Sequence, residues 1–277
     1  MKPPPLAYAR PDALPAALQR FAAAQDEARP VAGGQSLLPM LNLRVARPDT
    51  LIDLALIPEL RGIEQDDQVV DIGALTTHAQ IEDGALDAIA NGYLTRVARG
   101  IAYRAVRNHG TVGGSLAHAD PAADWPSALL ALDAQVVLVS ASGRRELPLS
   151  GFFLGPFSTA LADGEIIARI RFPMPAADTR WAYAKRARKL GGFAESIAAI
   201  VASSNRQSVR IVLGGAAGTP LQVPDDVARR WLERAGGPVD LAALATVEQD
   251  LSGLIDERDP VRIRTHAATV ADALELT

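Results

Sequence analysis

Two glycine-centred segments constrain this chain more than any other feature: Val31-Ala-Gly-Gly-Gln-Ser-Leu-Leu38 and Arg107-Asn-His-Gly-Thr-Val-Gly-Gly-Ser-Leu-Ala-His-Ala-Asp-Pro-Ala-Ala-Asp124. Glycine lets main-chain N–H groups turn toward an anion with no Cβ in the way, and it reaches the φ > 0 conformations of concave anion nests. The two segments are expected to be halves of one site for a large anionic ligand. The plain alternative for Gly33 and Gly34 is a tight turn after a strand. Their polar neighbours favour a ligand, because the Gln35 amide and Ser36 hydroxyl can hydrogen-bond a diphosphate. Gly113, Gly114 and Ser115, with Thr111 beside them, supply the second nest. Neither segment follows Gly-x-Gly-x-x-Gly or Gly-x-x-x-x-Gly-Lys-Ser/Thr, which disfavours a Rossmann dinucleotide site and a P-loop.

The chain has 277 residues, enough for two domains with a sizeable core, and its 48% hydrophobic and 22% charged residues are those of a globular protein. A net charge of −4 argues against a general nucleic-acid binder. No run approaches the roughly 18 apolar residues of a membrane span. The start, Met-Lys-Pro-Pro-Pro-Leu, lacks the apolar core of a secretory signal, so a cytoplasmic protein is expected. With no cysteine, the chain cannot ligate an iron–sulfur cluster through thiolates, form a disulfide, build a thiolate zinc site or use a cysteine nucleophile. His78, His109, His118 and His266 match no recognised zinc pattern. Any redox metal is expected in a partner chain.

Residues 12–24 carry Leu14, Leu18 and Phe21 at helical spacing, with Asp12 placed as the cap. Residues 37–43 alternate irregularly, and Thr50-Leu-Ile-Asp-Leu reads as a strand closing a β-α-β-β start. Runs at 60–64 and 68–74 suit a hairpin around Gln65-Asp-Asp. Thr76-Thr-His-Ala-Gln-Ile-Glu begins a Thr-capped helix, and residues 86–101 read as helix pieces interrupted at Gly92. Asp124-Trp-Pro reads as the start of a helix capped by Asp124, since Pro126 is tolerated in a first turn; the glycine loop would then lead into this helix. Strands follow at 135–141, 143–149 and 165–173. A linker is expected at 174–179, then antiparallel strands at 181–185, 197–201 and 208–215, and helices at 224–235, 240–251 and 259–276.

Asp124 has two readings, a helix cap and a ligand for a ribityl or ribose hydroxyl. His118 and Asp120 are more simply structural hydrogen-bonding groups than an acid–base pair, and no catalytic residue is assigned. Lys185, Arg186, Arg188 and Lys189 read as a solvated basic face, with a lysine reaching back to a cofactor as the sharper alternative.

In order along the chain, Ala32-Gly-Gly-Gln-Ser-Leu-Leu-Pro, Ile72-Gly-Ala-Leu-Thr-Thr-His, the long segment 107–124 and Gly164-Glu-Ile-Ile resemble the FAD-binding medium subunit of the molybdenum hydroxylases, the group that includes carbon monoxide and xanthine dehydrogenases. The resemblance implies an α+β fold of the p-cresol methylhydroxylase type. Residues 1–175 would form the FAD-binding domain, with subdomains of about 1–57 and 58–175. Residues 176–277 would form a C-terminal domain with a small antiparallel sheet and helices. It further implies that Val31, Ala32, Gly33, Gly34, Gln35, Ser36, Leu37 and Leu38 line the FAD diphosphate, completed by Ile101, Thr111, Gly113, Gly114 and Ser115. Asp124 would bind farther along the cofactor, Ile167 would touch the isoalloxazine region, and Lys185 would approach FAD. Where the family often has Gly-Asp-Tyr/Phe-Ala, this chain has Gly191-Gly-Phe-Ala and lacks the acidic residue.

The implied partners are a large molybdopterin subunit and a small [2Fe–2S] subunit, in an assembly up to a dimer of heterotrimers, with an external electron acceptor. FAD is expected to be bound non-covalently, since there is no cysteine tether. A β-branched residue at Gly114 is expected to fill diphosphate space and to oppose a φ > 0 geometry. Two alternatives are a self-contained FAD oxidase or dehydrogenase, and a flavin-free assembly scaffold. The first lacks an obvious His, Tyr or Arg constellation, and the intact glycine segments argue against the second.

Overall fold

A computed structural model describes residues 3–24, 28–203, 208–215, 218–233 and 241–276. The first unit runs β1 (Ala7–Ala9), α1 (Leu14–Ala24), β2 (Ala28–Val31), α2 (Leu37–Asn42) and β3 (Thr50–Asp53). Its three strands pair in the order β1-β3-β2, all parallel, as helical crossovers between successive strands demand. Ala17, Leu18 and Phe21 of α1 bury their expected face against Ile52, Leu54 and Ile57.

The second unit contains β4 (Ile63–Gln65), β5 (Val69–Gly73), α3 (His78–Glu82), α4 (Tyr93–Arg99), α5 (Arg104–Arg107), α6 (Val112–His118), α7 (Asp124–Ala131), β6 (Gln135–Ser140), β7 (Gly143–Pro148), β8 (Phe153–Gly155), β9 (Ser158–Thr159) and β10 (Ile166–Pro173). Five strands form an antiparallel sheet, β4-β5-β10-β6-β7. A bulge between Ile167 and Arg169 sets which way β10 points its side chains. Ile166 and Ala168 join the core shared with the first unit, while Ile167, Ile170 and Phe172 join the core under the helices.

The third unit is a sheet of β11 (Arg180–Arg186), β12 (Ser196–Ala202), β13 (Val209–Gly214) and β14 (Leu221–Gln222), antiparallel as expected, with α8 (Asp225–Glu233), α9 (Leu241–Leu254) and α10 (Pro260–Leu276). Alternate residues of β12 enter opposite cores: Ile197 and Ala199 pack toward the second unit, Ala198 and Ile200 toward Trp231 and Val270. Burial on both faces explains why this strand is an unbroken apolar run. The helix ends expected at Ala235 and Asp240 lie outside the described residues. The whole is the α+β arrangement that the resemblance implies.

Four expectations are corrected. Asp12 does not open α1; the helix begins at Leu14, whose N–H donates to Glu59 Oε1 at 3.4 Å. Residues 37–42 are helical rather than irregular, with Pro39 in the first turn, where its missing N–H costs nothing. The second glycine segment is not a loop leading into the next helix, because Gly113 and Gly114 lie inside a helix of their own, α6. Asp124 is not the cap of α7 but its first helical residue: extended Ala123 occupies the cap position, and the Asp124 side chain turns away to β11.

Candidate functional site

The loop between β2 and α2 is held open by what it leaves unbonded. The backbone N–H groups of Gly33, Gly34, Gln35, Ser36 and Leu37 meet no acceptor among the described residues. Gly34 has φ +69°, the left-handed turn that aims successive amides to one side. The Gln35 side chain donates to Gly33 O at 3.0 Å and braces the loop, and the Ser36 hydroxyl makes no capping bond. Leu38 begins to bond within the helix, its N–H donating to Gly34 O at 3.0 Å.

The second segment crosses this loop at van der Waals distance. A Cβ built on Gly33 would stand 2.0 Å from the His109 carbonyl oxygen, so only glycine permits the approach. One on Gly114 would meet Thr111 Oγ1 at 2.8 Å and Ala32 Cβ at 3.5 Å. The two segments are thus brought together as expected, but the space beside Gly114 faces its own cap, and Gly114 has no positive φ.

The amides of α6 are all used within the protein. Val112 donates to Thr76 O at 3.0 Å, Gly113 to Ala74 O at 2.9 Å, Gly114 to Thr111 Oγ1 at 3.1 Å and Ser115 to Thr111 O at 3.0 Å. Gly113 is buried against Ala74, where a Cβ would come within 2.5 Å of the alanine's own. Of the start of α6, therefore, the half-buried Ser115 hydroxyl and the surface of the first helical turn remain to meet a ligand.

Residues 72–78 form the platform for this packing. Thr77 caps α3 in a full capping box with Gln80, and Thr77 bridges Thr111. The next residue, His78, is buried. Its N–H donates to Gly110 O at 2.9 Å, and its Nδ1 accepts from Trp125 Nε1 at 2.9 Å. Gly110 leaves room for the ring, since a Cβ there would stand 2.7 Å from His78 Nε2. Burial lowers the His78 pKa to about 4, assisted by the nearby Arg107 charge. The ring is neutral at pH 7, which an acceptor Nδ1 requires. Because Trp125 lies 47 residues from His78 in sequence, no local pattern reveals the pair.

Ile101 lies on the half-buried link between α4 and α5. Arg107 donates to the Ile101 and Ala102 carbonyls at 2.7 and 3.0 Å while its other nitrogens hold Glu82. Lys185 reaches the same link, donating to Gly100 O at 3.2 Å and to Asp124 Oδ2 at 2.9 Å. Tyr183 donates to Asp124 Oδ1 at 2.6 Å. Burial pushes the Asp124 carboxyl up, opposed by the Lys185 charge and the Tyr183 hydroxyl; burial also pushes the Tyr183 phenol well up, aided by Asp124. Lys185 and Asp124 thus meet each other, their side chains only 11% and 6% exposed, and together they join α7, β11 and the Gly100 link. The basic-face reading fails for Lys185 and holds for Arg188, whose side chain is 90% exposed. Ile167 is 6% exposed and packs in the core under the helices.

Comparison with known proteins identifies the lineage. The family described as FAD binding domain in molybdopterin dehydrogenase matches residues 4–175. The carbon monoxide dehydrogenase medium chain of Hydrogenophaga pseudoflava is 39% identical over 225 residues, 80% of this chain and 78% of that one. The nicotine 6-hydroxylase medium subunit of Paenarthrobacter nicotinovorans is 38% identical over 228 residues, 81% and 80% of the respective chains. A solved carbon monoxide dehydrogenase from H. pseudoflava, lacking the Mo-pyranopterin moiety of its molybdenum cofactor, matches with a TM-score of 0.87 at 34% identity, over 100% of this chain and 98% of that chain. Quinoline 2-oxidoreductase from Pseudomonas putida 86 matches with a TM-score of 0.85 at 31% identity, over 99% and 97%. With two crossed glycine segments inside the matched region and the likeness extending over the whole fold, this chain belongs to the FAD-binding medium subunits of the molybdenum hydroxylase family.

Proposed function

We propose that this chain is the electron-transfer subunit of a molybdenum hydroxylase, passing electrons from [2Fe–2S] clusters in a small partner subunit to an external acceptor. Its carrying observation is the run of unspent amides at residues 33–37, crossed by the second glycine segment at a distance only Gly33 allows. That cradle suits a diphosphate: it offers backbone donors, the free Ser36 and Ser115 hydroxyls, and no carboxylate of its own. Bound FAD supplies the redox chemistry, while the protein supplies binding, orientation and electrostatics.

In this reading residues 31–38 hold the diphosphate, and Thr111, Gly113, Gly114 and Ser115 shape the opposite wall. The link carrying Ile101 borders the flavin, with Lys185 and Asp124 fixing that link from beneath. Residues 1–175 form the FAD-binding domain, divided at about residue 57, and residues 176–277 the C-terminal domain. The substrate centre belongs to the large molybdopterin subunit, consistent with a chain without cysteine. No helix among the described residues is long and apolar enough to cross a membrane, and a cytoplasmic complex is proposed.

The purified chain should show flavin absorption, and acid precipitation should release the yellow colour into the supernatant. Substrate-dependent dye reduction should require both partner subunits. Substrate oxidation by the metal-free single chain would instead establish a self-contained flavoenzyme.

A further inference from the structure

The loop at residues 187–195 leaves the C-terminal sheet and touches the second unit twice. Gly191, at φ +70°, approaches Ala102 so closely that a Cβ would stand 2.5 Å from the Ala102 carbonyl oxygen. Ala194 N–H donates to Ala122 O at 3.3 Å. Ala102 adjoins Ile101, and Ala122 lies two residues before Asp124. Where this loop rests therefore decides the shape of one border of the proposed cofactor site. Within the loop, Leu190 and Phe193 are 92% and 72% exposed, so their packing does little to hold it.

Inside the loop Gly192 N–H donates to Lys189 O at 2.9 Å and Arg188 meets Glu195 at 2.8 Å in an exposed pair that screening makes weak, so the buried tether lies at the root. Arg186 and Ser196 are register partners on β11 and β12, and Glu195 N–H donates to Arg186 O at 2.8 Å, closing the hairpin there. Both partners are tied to the C-terminal helix α10. Arg186 meets Asp272 at 2.7 Å in a half-exposed ion pair, which screening makes weak. Ser196 Oγ meets His266 Nδ1 at 2.8 Å, with both residues at most 1% exposed. His266 Nε2 is buried and meets no partner among the described residues, a disadvantage that an apolar residue in this core would avoid.

We infer that His266 is a positioning residue for the cofactor site: through Ser196 it fixes the root of the 187–195 loop and so seats Gly191 and Ala194 against Ala102 and Ala122. The C-terminal helix, more than seventy residues beyond Lys185 in sequence, thereby becomes part of the flavin's setting. This inference rests on the proposed function only for its effect on FAD; the seating of the loop stands on the contacts above.

The test is amide exchange of the full chain, read in the absence and presence of FAD. His266→Leu removes the hydrogen bond and the orphan nitrogen while filling the core, and Ser196→Ala removes one hydroxyl. In both, amides of residues 188–195 should exchange about tenfold faster, the scale of one lost buried hydrogen bond. In His266→Leu the apolar fill offsets the loss, so the protection of α10 and the unfolding midpoint should stay near wild type, whereas Ser196→Ala orphans the ring and should also lower the midpoint. His266→Asn, which keeps a hydrogen-bonding atom near the Nδ1 position, should restore slow exchange. FAD should leave the loaded variants about tenfold faster than wild type, with an altered visible circular-dichroism spectrum. Unchanged loop exchange in both His266→Leu and Ser196→Ala would overturn the inference. If the wild-type chain took up no FAD, the proposed function would fail, and loop exchange would still decide the role of His266.

Discussion

Gly33 and Gly34 belong to a run of unspent amides that ends at the first residue of α2, whereas Gly113 and Gly114 lie inside a helix whose first amides are all spent. The residues are alike and the uses opposite. In the first segment the missing Cβ lets another backbone come close and lets Gly34 turn left-handed, so donors face outward. In the second it lets α6 pack onto Ala74, so donors face inward. A glycine pair thus marks a close approach of backbone, and only a full account of the amides tells which pair is left for a ligand.

The second segment ends on Asp124, where the largest effect is expected. Lys185→Met should destabilise by about 3–5 kcal/mol, because it leaves a buried carboxylate without its cation. Urea unfolding measures this; a loss below about 1 kcal/mol would show that the pair is solvated. Next in size is Gly33→Ala, whose methyl would collide with the His109 carbonyl and force the segments apart, at about 3 kcal/mol. FAD retention should be lost with it. Gly113→Ala collides with Ala74 instead and should lower stability while the folded fraction still binds FAD. If Gly113→Ala lost the cofactor and kept its stability, the division of labour would be reversed.

Much of this was legible in the chain. The threonine cap expected at the start of the helix is Thr77, and the structure adds a reciprocal bond with Gln80. The hairpins and the C-terminal strands follow from runs bounded by turn residues. Pairings across long sequence distances were not legible: His78 with Trp125, Arg107 with Glu82, and Lys185 with Asp124 are invisible to local periodicity. Asp124 was misread because an aspartate two residues before proline has the form of a cap, and nothing local says that β11 will offer it Lys185 and Tyr183. Residues 37–42 lacked a helical stripe because so short a helix buries only Leu41.

The His78 platform adds a pH dependence of known sign. Its pKa is depressed from 6.5 to about 4, so its contribution is fully present above pH 6.5 and is lost as pH falls through 4. A shift of that size corresponds to about 3 kcal/mol. His78→Gln should flatten this part of the stability profile relative to wild type between pH 6.5 and 4; an identical slope would mean that the ring is already solvated. The smallest expected effect is at the cap of α6. Thr111→Ala frees the Gly114 amide and should cost about 1 kcal/mol of stability.

In the proposed site the first segment, not the start of α6, offers its amides to the cofactor. Residue-resolved hydrogen exchange with and without FAD tests it most directly. Residues 33–37 should exchange fast in the cofactor-free chain and become strongly protected once FAD is bound, with residues 112–115 protected in both states. Protection that appeared at Gly113 and Gly114 while residues 33–37 stayed fast would contradict it.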